Sequence, residues 1–82
     1  MSDQDIKQFA DALAELYVRR RREWWSAIDG TMSAMNLETQ YLFRSIRIKD
    51  NAAAKWDQMV EVVELLPKEI KDLVLKEVER IQ

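Results

Sequence analysis

Most side chains that carry out catalysis are missing from this chain. It has no histidine and no cysteine, which removes the usual nucleophile–base pairs and the imidazole and thiolate ligands of transition metals. A single glycine excludes a phosphate-cradling loop, because such loops need several residues without a Cβ to turn tightly and bring backbone N–H groups to the phosphate. Carboxylates remain. Asp57, Glu61 and Glu64 stand four and three residues apart, a spacing that puts them on one helix face, where acid–base work or cation binding is chemically conceivable. Charged helix faces are ordinarily solvated, and that is the reading adopted. No catalytic residue, metal ligand, cofactor site or small-molecule substrate is assigned.

The most unusual local feature is Arg19-Arg20-Arg21-Arg22-Glu23-Trp24-Trp25. Successive residues on a helix turn by about 100°, so four arginines in a row cannot share one direction. Counted from Ile6, Arg20 falls inside the apolar stripe and Arg21 beside it, while Arg19 and Arg22 face away. The Arg20 guanidinium then needs acidic company, for which Glu61, Glu64 and Glu77 are candidates. Glu15 can pair with Arg19 at i,i+4, and Arg21 can lie over Trp25 or Tyr17. Trp24 and Trp56 read as core, whereas Trp25 falls on the edge of the stripe and suits an interface anchor. Val62, Leu65 and Leu75, off the main faces of their helices, would extend a second apolar surface with Trp25 if they were contiguous with it.

The charge is segregated. Residues 1–18 sum to −3; residues 19–49 hold seven basic and three acidic residues, giving +4; residues 50–82 return to −3, for a net −2. The basic middle, Arg19 to Arg22 with Arg44, Arg47 and Lys49, could meet an acidic protein surface, a second copy of the chain, or the phosphates of nucleic acid or anionic lipid. The low pI of about 5.1 weighs against nucleic acid, whose binding modules are typically basic.

Positioning these residues falls to helices. With 48 % hydrophobic and 34 % charged residues and one Pro, the 82-residue chain reads as one soluble all-α domain of three to four helices. Its core is thin, and packing against a second subunit would help it. The acidic start and the lack of a long apolar run make the cytoplasm the default location, with no membrane span. Ser2 and Asp5 form a variant capping box, and Ile6, Phe9, Ala10, Leu13, Leu16, Tyr17, Trp24, Ala27 and Ile28 predict a helix over 4–29 that Gly30 stops. The apolar positions of 31–49 fit no single face, and a short helix over 37–47, capped by Asn36 with Thr39, is expected there. Asp50 or Asn51 caps a third helix with Trp56, Met59, Val60, Val63 and Leu66 inward. Pro67 opens a fourth, to Arg80, burying Ile70, Leu73, Val74, Val78 and Ile81. The long first helix should lie across the hairpin made by the last two.

From Trp56 onward, Leu66-Pro67, Ile70-Lys71, Lys76 and Val78-Glu79-Arg80 resemble the small helical module at the C-terminus of a subunit of light-independent protochlorophyllide reductase, about a third of the chain. The resemblance implies a helical accessory or docking element near a tetrapyrrole enzyme and carries over no catalytic residue. The functional expectation is therefore a non-enzymatic protein-interaction module, a homodimer being one form of it, whose contact residues are Arg19, Arg20, Arg21, Arg22, Trp25, Arg44 and Arg47. Nucleic-acid binding through the same arginines is the alternative.

Overall fold

The chain enters its first helix through Ser2, whose Oγ accepts the Asp5 N–H at 3.2 Å. Asp3 and Asp5 sit in the first turn, where the helix dipole favours negative charge. The computed structural model, describing residues 2–82, then contains α1 (Asp3–Ala34), α2 (Thr39–Glu64) and α3 (Lys68–Ile81). Among the described residues there is no strand, and the all-α class is realised.

Two boundaries differ from those expected. Gly30 does not end α1, which passes through it to Ala34 with no positive φ anywhere among the described residues. A lone glycine costs a helix only about 1 kcal/mol, and contacts beyond it outweigh that: Ala34 is buried, and the Thr31 hydroxyl lies 3.0 Å from Ala27 O and 3.2 Å from Ser45 O, so its one proton can go to either carbonyl. The second and third expected helices are one, α2, running through Asp50 and Asn51 without a break. Its N-cap is Glu38, with no side-chain capping bond, in place of the Asn36–Thr39 cap. Asp50 and Asn51 cap well only where a helix must begin, and with Ala52, Ala53 and Ala54 following, nothing there forces an end. The joint to α3 falls where Pro67 requires it: Pro67 is the N-cap, φ −54° and ψ 144°, just before the first helical residue.

The helices pack as a long one carrying a hairpin. Thr31 meets Ser45 while Tyr17 meets Trp56, rings edge-on with centroids 4.8 Å apart, so α2 runs antiparallel to α1. α3 returns alongside the first half of α1: Glu69 and Ile70 lie near Ile6 and Ala10, and Ile81 and Gln82 near Val18 and Arg22. Both limbs of the hairpin lean on α1 and scarcely on each other.

Where three helices meet there is a core: Ala10, Ala14, Val18, Met59, Val63, Val74 and Val78 are each at most 5 % exposed, ringed by Leu13, Leu16, Tyr17, Trp56, Leu66, Ile70 and Ile81. Ala10 and Ala14 are small where α1 must accept neighbours on two sides. Phe9 and Leu73, expected inward, remain largely exposed at the edge of this contact. Beyond the level of Trp25, where α3 ends, only α1 and α2 continue together, as a two-helix arm in which Ala34 alone is buried. The arm gives the molecule its extents of 54 × 21 × 15 Å and a radius of gyration of 16.0 Å, against about 12 Å for a compact chain of this length.

Candidate interaction surface

The arm carries both the basic segment and the exposed apolar residues. Helix α1 is unbroken from Tyr17 to Trp25, so the four arginines do point in four directions. Arg20, half-buried, donates Nη1 to Glu23 Oε2 at 2.9 Å. Its partner is thus on its own helix, and Glu61, Glu64 and Glu77 are not involved. The antiparallel register explains this: Tyr17 lies opposite Trp56, so Glu61 and Glu64 sit two turns or more below Arg20, on the order of 10 to 15 Å away at 1.5 Å per residue. Glu64 instead accepts Lys71 Nζ at 3.0 Å across the α2–α3 joint, and Glu77 accepts Arg80 Nε at 2.7 Å. That hydrogen bond and the Glu77 charge, helped by Asp11 and Glu15, hold the Arg80 guanidinium still more firmly protonated than usual. Glu15 forms no ion pair with Arg19.

Arg21 lies over Trp25, its guanidinium carbon 4.8 Å from the ring centroid, a cation–π contact worth about 0.5–1 kcal/mol at an exposed site. Arg19 and Arg22 are exposed, as are Arg44 and Arg47. Arg22 borders a recess of about 370 Å³ shared with Val18, Arg21, Trp25 and Gln82, a second beside Glu15, Arg19 and Ile81, and a groove of about 600 Å³ on the arm that includes Ser26, Gly30, Ser45, Ile48 and Lys55. Thus Arg20 and Arg21 are engaged within α1, and the remaining cations are spread along the arm.

Trp25 is 57 % exposed, and the structure adds residues that sequence reasoning missed: Met32 at 64 %, Met35 at 66 %, Phe43 at 62 %, and Leu37, Tyr41 and Ile48, all on the arm. Their signal was present in 31–49, where apolar residues fitted no single helix face. A two-helix arm has one buried side, so apolar residues pointing elsewhere must emerge. Val62 and Leu65 are also exposed, but they are not contiguous with Trp25. Trp25 lies level with the residues near Lys49 in the antiparallel register, and thirteen residues of helix separate that level from Val62, about 20 Å.

Asp57, Glu61 and Glu64 are exposed, and among the described residues no group of three His, Cys, Asp or Glu side chains converges as metal ligands would. No helix of the described residues is long and apolar enough to cross a membrane. Comparison with protein-family models, with curated proteins and with solved structures gave no match.

Proposed function

We propose that this chain is a non-enzymatic interaction module, acting in the cytoplasm, whose α1–α2 arm docks onto a protein surface. The observation that carries the reading is the contrast between the two halves of one molecule. Where α3 joins the other two helices, seven apolar residues form a cluster at most 5 % exposed; on the arm Ala34 alone is buried, and Trp25, Met32, Met35 and Phe43 each show more than half their surface to water. Monomers rarely expose contiguous apolar surface beyond a few hundred Å², and larger patches mark contact sites. Trp and Met are among the residues enriched at the centres of such sites, with Arg. Nucleic-acid binding is the weaker reading, because Arg20 and Arg21 are engaged within α1 and the chain is acidic.

The test is photo-crosslinking in the native host, with a photoreactive amino acid replacing Trp25 or Phe43 on the arm, or Asp57 on the solvated face. Protein adducts, to another protein or to a second copy, are expected from positions 25 and 43 and not from 57. No adduct from the arm, or equal adducts from all three, would contradict the proposal.

A further inference from the structure

The track that α3 follows along α1 continues past the end of α3. Taken every fourth residue, Ala10, Ala14, Val18, Arg22, Ser26 and Gly30 form one ridge that winds slowly round α1. The first three are buried where α3 packs. Helix α3 stops at the level of the fourth, where Ile81 borders a recess with Arg22 and Glu23. Those same two residues also line the groove of about 600 Å³ on the arm, and Ser26 and Gly30 line it with them.

Helix α2 supplies the other wall in the same manner. Ser45, Ile48, Ala52, Lys55, Met59 and Val63 recur at three- and four-residue steps along one face. Met59 and Val63 are buried in the three-helix core, whereas Ile48 is 54 % exposed. The groove is thus the continuation into the arm of the cleft that α3 covers. It is lined by small residues, Ala27, Gly30, Ser45 and Ala52 among them, so a helix laid there can approach as closely as α3 does over Ala10 and Ala14.

Cations border this groove. Arg22 and Lys55 line it, one from each wall. Arg44 falls on the α2 side in step with Ile48, Asn51 and Lys55, three turns or about 16 Å from Lys55. Among the described residues, none of the three cations is in an ion pair. Glu23, the one acid lining the groove, is held by Arg20 at 2.9 Å. Such a border complements acidic side chains placed along the edges of an apolar strip.

We infer that the groove takes one amphipathic helix of a partner protein, lying on the continued track of α3, with acidic residues along its edges paired to Arg22, Lys55 and Arg44. Helix-in-groove docking of this kind needs only an apolar face and matching flanks. The inference rests on the reading of the arm as a docking element and gives the chemistry of what docks.

The probe is a synthetic helical peptide of about 15 residues, about 22 Å long, with an alanine and leucine face flanked by glutamates. Its control carries lysines in place of the glutamates. Each is titrated into the 82-residue chain and followed by the amide signals of Ser45 and of Gly30, the only glycine. The acidic peptide should shift both signals to saturation, and the lysine peptide should not. Arg22→Glu with Lys55→Glu should weaken the acidic peptide by about tenfold or more, through like-charge contacts. Gly30→Leu should abolish binding with helical circular dichroism unchanged, because a Cβ at position 30 meets nothing within 4 Å while the longer side chain fills the groove. Equal binding of both peptides, a Gly30→Leu variant that binds as the parent does, or no shift at millimolar acidic peptide overturns the inference. Shifts of the Gly30 signal with protein concentration alone, lost in Gly30→Leu, would make a second copy the occupant and overturn it too. If the acidic peptide fails while positions 25 and 43 still give protein adducts, only the groove's occupant is wrong; if those adducts are missing as well, the interaction reading falls with it.

Discussion

Replacing Gly30 by alanine should make the protein more stable. Gly30 lies inside α1 with a non-positive φ, and a Cβ built there meets nothing within 4 Å. No clash opposes the change and no new contact aids it, so the gain is that of alanine over glycine in a helix interior, about 0.5–1 kcal/mol. For a domain of this size that raises the melting temperature by about 2–8 °C. The assay is urea and thermal unfolding followed by helical circular dichroism, with parent and variant at the same concentration, since association would make the midpoint concentration-dependent. A loss of stability would refute the reasoning. It would mean that Gly30 ends the helix in the left-handed conformation, where a Cβ is strained, and that the arm is not the continuous element described.

Three further substitutions probe the other half. Val74→Ala removes two methyl groups from a fully buried site and should cost about 2–3 kcal/mol, the transfer term plus a cavity, measured by urea unfolding. Ala14→Leu, where α1 is closed in by its neighbours, should cost about 1–3 kcal/mol by overpacking; a neutral result would show that the core is looser than its near-zero exposure implies. Lys71→Ala breaks the contact with Glu64, but the Glu64 side chain is 64 % exposed, so the stability change should stay below about 1 kcal/mol and shrink further in high salt.

What could be read from the sequence followed the strength of the local signals. The Ser2 cap, the Leu66-Pro67 corner, the hairpin it makes and the edge position of Trp25 all depend on residues acting within a turn or two, and all are seen in the structure. The placement of Arg21 over Trp25 was likewise a matter of one helix. Errors arose where local signals were weak and partners distant. Gly30 looked like a stop, and Asp50-Asn51 looked like a start, because each is locally sufficient; only the neighbouring helix makes both unnecessary. The arm was hidden for a related reason. Its helix contact uses Ala27, Thr31 and Ser45, which are small or polar, so the larger apolar residues around them gave no common face. The acceptor of Arg20 was misplaced because the register of α1 against α2 is a tertiary property.

The central claim is that this molecule has one half with a finished core and another that waits for cover. Amide hydrogen exchange measures that directly, since protection reports the local free energy of opening. At low concentration the amides of Ala10–Val18, Met59–Val63 and Val74–Val78 should exchange slowly and those of the arm, 22–34 and 40–55, much faster. An arm as protected as the core in dilute solution would contradict the account.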